Sequence, residues 1–322
     1  MRVLVTGGTG FVAGWCIAAL VDRGHEVRTT VRSAGGEEHL WANFAERVTV
    51  ARADLTADEG WAAAMDGIEG LLHVASPLTG EDMLGPAVDG TKRVLKAAGD
   101  AGVSRAVVTS SCAAATPDRG ERGVFDETLW TGPKASAIDA YRAAKILAER
   151  AAWKIAGERG LPLTTVLPGV VFGPLLSRHN MKSVDLIGRM FKGMPGVPNI
   201  GLNIVDVRDV ADLHVRTLTD SRAIGQRYLA VSELMSMPEI ALHLRAQLGS
   251  RASRVPTRTI PDSVIKTLAK VNPEMRAIAA FLERKYTYSN AKARSLGWEP
   301  RPARETVIDC AESLLAYSPL PS

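Results

Sequence analysis

Residues 2–14 read RVLVTGGTGFVAG, which is the strongest structural signal in the chain. The apolar β-branched run 3–5 predicts a strand, and the pattern from residue 11 onward predicts a helix. In such a strand-turn-helix unit Gly7 permits the tight turn, Gly10 lets backbone approach a pyrophosphate, and Ala13 allows close helix packing. The helix N-terminus adds free N–H groups and a positive dipole end. A purely structural glycine loop is the alternative, but this position between first strand and first helix favours dinucleotide binding.

The first half of the chain alternates short apolar runs with helical patterns. The predicted strands are 2–6, 26–31, 47–51, 70–75, 106–110 and 163–167. The predicted helices are 11–23, 86–101 and 136–159. This alternation implies right-handed crossovers and a parallel sheet covered on both faces. We therefore expect an α/β fold, a Rossmann-type doubly wound parallel sheet.

After residue 168 the pattern changes. Segment 175–203 is rich in Gly, Pro and Met and has little strand character. Further on, the pattern predicts a strand at 226–230 and helices at 207–218, 238–248, 261–269, 273–281, 290–296 and 304–317. We expect a dinucleotide-binding core of residues 1–168, to which 204–231 return. Residues 169–203 and 232–322 would form a smaller, mostly helical substrate lobe.

Bulk composition excludes several classes of function. The chain has 322 residues, a net charge of +4 with scattered basic residues, and three cysteines far apart. Nucleic-acid binding, a metal site and a disulfide framework are therefore not expected. We find neither a leader sequence nor an apolar stretch that could span a membrane. The expectation is a cytoplasmic enzyme, monomeric or homodimeric, without a membrane partner.

A possible reaction centre lies downstream of the glycine turn. Tyr141 and Lys145 are four residues apart, which places them on one helix face about 6 Å apart along the axis. A neighbouring ammonium lowers the pKa of a phenol and suits it to proton transfer. Ser111, just past the fifth predicted strand, is the expected third member, with Thr109 and Ser110 as structural alternatives.

The residues after the second and third strands bear on cofactor choice. Residues 27–33 contain no acid that could accept bonds from ribose hydroxyls, whereas Arg32 could pair with a 2′-phosphate and Ser33 could assist. NADP(H) is therefore favoured, although Glu37 and Glu38 lie nearby. Asp54 could accept from the adenine amino group or simply cap a turn.

At these residues the chain resembles the extended short-chain dehydrogenase/reductase superfamily. Its marks are Thr6-Gly7-x-x-Gly10-x-x-Ala13, Ser111 and Tyr141-x-x-x-Lys145. The segments 30–32, 53–55, 73–77, 167–174 and 203–211 are similar to the branch that holds dihydroflavonol 4-reductases, cinnamoyl-CoA reductases and methylglyoxal-type ketone reductases.

The resemblance implies a set of contacts with the cofactor. Val74 to Ser76 would line its ribose, Pro168 to Val171 its nicotinamide, and Ser183 its phosphates. The full set of expected cofactor contacts is Gly7, Gly8, Thr9, Gly10, Phe11, Val12, Arg32, Asp54, Leu55, Val74, Ala75, Ser76, Tyr141, Lys145, Pro168, Val170, Val171 and Ser183.

The sequence departs from the family in two places. The lysine that often follows the arginine is missing between Glu37 and Phe44, and the run 112–116 after the serine is largely apolar. The second departure favours a rather apolar ketone or aldehyde. The leading hypothesis is NADPH-dependent carbonyl reduction, in which Ser111, Tyr141 and Lys145 form the proton-donor system. The alternatives are a nucleotide-sugar epimerase or dehydratase of the same superfamily, and a non-catalytic NADP-binding regulator.

Overall fold

Seven parallel strands form the central sheet of the computed structural model, which describes residues 1–33, 35–44, 47–77, 83–118, 120–132, 140–178, 180, 184–282 and 285–317. The strands are β1 (Arg2–Val5), β2 (Glu26–Val31), β3 (Val48–Arg52), β4 (Gly70–His73), β5 (Arg105–Thr109), β7 (Leu163–Pro168) and β11 (Arg227–Ala230). Their order is β11-β7-β5-β4-β1-β2-β3. Strand order reverses between β1 and β4, and ligands bind at such a switch point in doubly wound sheets.

Helices cover both faces of this sheet. On one face, Val3 and Val5 of β1 pack with residues of α1 (Phe11–Asp22), α2 (Gly35–Phe44) and α7 (Val207–Thr219). On the other face, Leu4 packs with residues of α3 (Trp61–Met65), α4 (Leu84–Asp100) and α5 (Ala140–Arg159). The alternation follows from the two-residue period of a strand. The predicted doubly wound fold is confirmed.

The remaining elements build a smaller part with its own apolar core. Three short strands, β8 (Val170–Phe172), β10 (Gly201–Asp206) and β12 (Glu233–Ser236), form one sheet. Two-stranded pairs join β9 (Val197–Pro198) to β13 (Thr259–Ile260) and β6 (Arg122–Phe125) to β14 (Lys285–Tyr288). The helices are α6 (Asp185–Phe191), α8 (Met237–Leu248), α9 (Asp262–Leu268), α10 (Pro273–Leu282), α11 (Ala291–Arg294) and α12 (Ala303–Tyr317).

Some boundaries differ from the sequence predictions. Segment 175–203 has more strand than expected, since it contains β9 and the start of β10. Residues 204–206 pair with β8 and not with a strand of the central sheet, whereas β11 pairs with β7 of that sheet. Helices α2 and α3 were not predicted, because α2 starts with two glycines and α3 has only five residues. The division into two domains stays a prediction.

No helix among the described residues is long and apolar enough to cross a bilayer.

Candidate active site

The glycine turn lies between β1 and α1, at the carboxyl edge of the sheet. Gly7 has a φ of +73°, and a Cβ added at Gly8 would lie 2.3 Å from Oγ1 of the buried Thr29. The N–H of Gly7 donates to Oγ1 of Thr30 at 2.9 Å. Because the N-cap residue Gly10 has no side chain, the first N–H groups of α1 remain for an anion. The turn is therefore a close-packed backbone cradle of the kind a pyrophosphate needs.

Phe11 and Val12, two of the predicted cofactor contacts, begin α1. The Phe11 side chain is buried in the core, and Val12 is half-buried against it. Only their backbone groups can serve a phosphate, whereas the neighbouring Gly10 is exposed and Thr9 is half-buried.

Thr6 joins the glycine turn to the end of β4. Its Oγ1 accepts the N–H groups of Val74 and Ala75, each at 3.0 Å, and lies 2.9 Å from Nδ1 of His73. The Thr91 hydroxyl donates to a helix carbonyl, so Nε2 of His73 must donate to Thr91 and Nδ1 must accept from Thr6. Burial lowers the pKa of His73 to about 3, and the charge of Lys145 acts in the same direction. His73 is thus a neutral link that holds 74–76 beside the turn.

The predicted adenine-side residues follow β3. Asp54 accepts the N–H of Thr56 at 2.8 Å and its hydroxyl at 2.7 Å. These bonds hold the pKa of Asp54 below its ordinary value, with a smaller contribution from the charge of Arg32. Asp54 therefore stabilises the turn after β3 and does not cap the next helix, whose N-cap residue is Gly60, and it stays within the field of Arg32. Leu55 is half-buried.

The residues after β2 present positive charge. Arg32 and Ser33 are exposed directly after the strand. Glu37 on α2, which could have opposed a phosphate, is paired with Arg52 of β3 at 3.3 Å. This ion pair partly neutralises the Glu37 carboxylate, so Arg32 keeps a positive charge exposed at the end of β2.

Three consecutive hydroxyl residues end β5, and two of them are engaged elsewhere. The Nδ1–H of His214 donates to the carbonyl of Val210, so its Nε2 accepts from Thr109 Oγ1 at 2.7 Å. Ser110 donates to a buried carboxylate at 2.6 Å. Ser111 has an extended backbone (φ −159°), and its Oγ accepts the N–H of Ala113 at 3.2 Å. Thr109 and Ser110 use their hydroxyl groups in these buried bonds, which favours Ser111 as the hydroxyl that meets a substrate.

Tyr141 and Lys145 occupy the first turns of α5. Tyr141 is half-buried, and Lys145 is 6% exposed with Nζ 3.4 Å from the carbonyl oxygen of Thr109. Burial lowers the pKa of Lys145 to about 8, against the opposing effect of the Glu149 charge. The helix thus brings the ammonium to the end of β5, next to the segment that carries Ser111.

A small cavity beside Lys145 lies between the carboxyl ends of β4 and β5. It is lined by His73, Ala75, Ser76, Thr91, Val108, Thr109, Ser110, Lys145, Ala148 and Glu149. Two of the three residues predicted to contact the ribose, Ala75 and Ser76, therefore share this cavity with Lys145.

The other predicted contacts lie at the end of β7 and in β8. Pro168 is buried at the end of β7, and Val170 and Val171 are half-buried in β8. Ser183 lies outside the described residues. Met190 and Phe191 of α6 are buried in the core of the smaller part.

Sequence reasoning missed a buried ion pair behind the reaction centre. Glu149 is four residues after Lys145 on α5 and pairs with Arg227 of β11 at 2.9 Å. The continued four-residue spacing Tyr141, Lys145, Glu149 was the available signal. Nothing local in the sequence points to Arg227. Among the residues that the structure describes, no group of His, Cys, Asp or Glu side chains is arranged to hold a metal.

Comparison with known proteins agrees with this geometry. The model of the NAD dependent epimerase/dehydratase family matches residues 3–230. The chain belongs to this family. The predicted resemblance to extended short-chain dehydrogenases/reductases is confirmed.

Individual relatives narrow the branch. Cinnamoyl-CoA reductase 1 of Petunia hybrida is 32% identical over 330 residues, covering 99% of this chain and 93% of the relative. Tetraketide alpha-pyrone reductase 2 of Arabidopsis thaliana is 36% identical over 256 residues, covering 74% and 79%. The structure of yeast methylglyoxal/isovaleraldehyde reductase Gre2 complexed with NADPH is similar at a TM-score of 0.83 and 25% identity, covering 98% of this chain and 99% of Gre2.

Proposed function

We propose that this protein reduces the carbonyl of a ketone or aldehyde to an alcohol, reversibly, with NADPH as reductant and Ser111, Tyr141 and Lys145 as the reaction centre. The observation that carries the proposal is the buried ammonium of Lys145 at the end of β5. It lies one helical turn from Tyr141 and beside the segment of Ser111. Burying an ammonium costs folding stability, so its presence in this place indicates a functional role.

The enzyme class and cofactor rest on relatives as well as on the site. Those named above are reductases, and Gre2 was solved with NADPH. The predicted NADP(H)-dependent oxidoreductase is thereby confirmed. The chain fits the cofactor, since the glycine cradle leaves first-turn N–H groups of α1 available and Arg32 provides positive charge after β2.

The chain's own residues divide the chemistry. The Ser111 hydroxyl donates a hydrogen bond to the substrate carbonyl oxygen and fixes its position. The Tyr141 hydroxyl gives its proton to that oxygen as the carbonyl carbon is reduced. The Lys145 ammonium stabilises the negative charge that this transfer leaves on Tyr141. The reduced cofactor, when bound, supplies the hydride. Most of the rate gain comes from orientation of the reacting groups.

The substrate is proposed to be rather apolar. Ala113, Ala114 and Ala115, which follow the reaction-centre serine, form a buried apolar 3₁₀ turn. These three side chains carry no hydrogen-bonding group, whereas a polyhydroxylated substrate would need polar side chains to replace the hydrogen bonds to water that it loses on binding.

The test is turnover by wild type and Tyr141→Phe with a panel of ketones, aldehydes and diketones. Because Tyr141→Phe lacks the hydroxyl, its rate of NADPH oxidation is expected to be lower than that of wild type by at least about a hundredfold. Binding of NADPH, followed by its fluorescence, should change little. Folded wild type that reduces none of the carbonyls, or a fully active Tyr141→Phe, would refute the proposal.

A further inference from the structure

Glu149 and Arg227 form a buried ion pair that is joined by two hydrogen bonds. Glu149 is 1% exposed and Arg227 is 6% exposed. Nε of Arg227 donates to Oε1 of Glu149 at 2.9 Å, and its second nitrogen donates to Oε2 at 3.2 Å. Burying two charges costs several kcal/mol each, and apolar residues of similar volume are often at least as stable. A pair kept in this place therefore invites a functional explanation.

The carboxylate of Glu149 also binds two strands of the central sheet. Ser110, the residue before Ser111, donates to Oε2 at 2.6 Å. Thr165 of β7 donates to Oε1 at 2.8 Å. Glu149 thus fixes the end of β5 against the helix that carries Tyr141 and Lys145.

Arg227 holds the segment that follows Ser111. Its terminal nitrogens donate to the carbonyl oxygens of Glu127 and Leu129, both at 2.7 Å, and of Ala114 at 3.1 Å. Its guanidinium stacks on the ring of Trp130 at 3.7 Å. One side chain therefore connects β11 to both ends of the loop 112–131.

The charge of Glu149 also faces the reaction centre. Lys145 is approached by Tyr141 and Glu149 from its own helix, and by His73 from β4 and Thr91 from α4 around the cavity. His73 is neutral near pH 7, because burial holds its pKa at about 3. Glu149 is therefore the acidic group that offsets the burial of the Lys145 ammonium.

We infer that the Glu149–Arg227 pair is a positioning unit of the reaction centre: Glu149 keeps Lys145 charged, and both residues fix the segment that carries Ser111. The inference rests on the proposed function. Neither residue contacts the reacting atoms, and both act through Lys145 and Ser111.

The first test separates charge from structure by the pH profile of kcat. In Glu149→Gln we expect the alkaline limb, which follows deprotonation of Lys145, to move to lower pH by about one pH unit or more. Glu149→Asp, which keeps the charge, should restore the limb. Thr165→Val is the matched control, since it removes one bond to the same carboxylate but no charge, and its limb should stay in place. An unmoved limb in folded Glu149→Gln would overturn the charge role.

The second test addresses position through Arg227→Lys. This variant keeps the positive charge but loses the planar fork and its bonds to the loop. We expect kcat to fall about tenfold or more while the Kd of NADPH changes little. Arg227→Lys also tests the inference if Glu149→Gln does not fold. An unchanged kcat in folded Arg227→Lys would overturn the positioning role.

A third measurement does not depend on turnover. The free energy of unfolding is measured from pH 6 to 11 for wild type, Lys145→Met, Glu149→Gln and the double variant. The stability gained through Lys145→Met should begin to fall at a lower pH in the Glu149→Gln background than in wild type. An identical pH dependence in the two backgrounds would contradict the inference. If wild type reduces no carbonyl, only the proposed function is refuted. If wild type is active but the variants show neither a shifted pH profile nor a lower kcat, only this inference is refuted.

Discussion

Replacing Lys145 by Met should make the protein more stable and inactive. Lys145 is 6% exposed, and the carbonyl of Thr109 at 3.4 Å and the field of Glu149 oppose the burial penalty on its charge. Methionine has a similar length and no charge to desolvate. Glu149 would keep its pairing with Arg227 in the variant, so no unpaired charge is left behind.

The magnitude follows from the pKa of Lys145, which burial lowers from 10.5 to about 8. One pKa unit corresponds to about 1.4 kcal/mol of difference between the two protonation states. The folded state therefore disfavours the ammonium by on the order of 3 kcal/mol. Removing this cost should raise the free energy of unfolding by a comparable amount at pH 7.

The gain must depend on pH in a defined direction. Below about pH 8 Lys145 is charged in both folded and unfolded states, so the full cost is present. Between about pH 8 and 10.5 the folded protein loses this proton first, and wild type regains stability relative to the variant. Above that window the lysine is neutral in both states, and the difference should disappear.

The assay is urea unfolding of both proteins at pH 7 and at pH 10.5, with kcat measured alongside. Lys154→Met is the control, because Lys154 lies on the same helix with its side chain 76% exposed. Its stability should differ little from wild type at either pH. A Lys145→Met protein that is less stable than wild type at pH 7, or equally shifted at both pH values, would refute the reasoning.

Two further predictions concern the cofactor site. Arg32→Ala should weaken binding of 2′,5′-ADP about tenfold or more but barely affect 5′-AMP, because only the former carries the phosphate that Arg32 is proposed to pair with; equal losses in titration calorimetry would contradict this assignment. Gly8→Ala should cost about 1–3 kcal/mol in urea unfolding, because its Cβ would press on Thr29, whose hydroxyl is fixed by a 2.7 Å bond. Gly157→Ala in α5, where a Cβ meets nothing within 4 Å, should be neutral or stabilising, and a similar loss there would count against the steric argument.

Much of the fold could be predicted from sequence because its signals are local. The glycine turn at 7–10 and the β-branched run 26–31 gave the first βαβ unit, and β2 has the predicted bounds. Short elements were missed, such as α3, whose five residues contain too little pattern to be recognised. The pairing of β10 with β8 was not predicted, since a strand's partner does not follow from its own pattern.

The candidate site divides in the same way. Tyr141 and Lys145 share a helix face, and a helix fixes that neighbourhood by spacing alone. In the sequence, Ser111 is one of three consecutive hydroxyl residues that could be the third member of the reaction centre. The hydrogen-bond partners of Thr109 and Ser110 became known only from the folded chain.

The nucleotide-binding architecture, the superfamily and the helical spacing of Tyr141 and Lys145 follow from the sequence alone, because periodicity and turn chemistry act over a few residues. Which charges are buried and what they touch becomes known only from the folded structure. Glu149 and Arg227 are 78 positions apart, and Thr6 and His73 are 67 apart. Such contacts depend on how the sheet brings distant strands together, and burial then sets the protonation of Lys145 and His73.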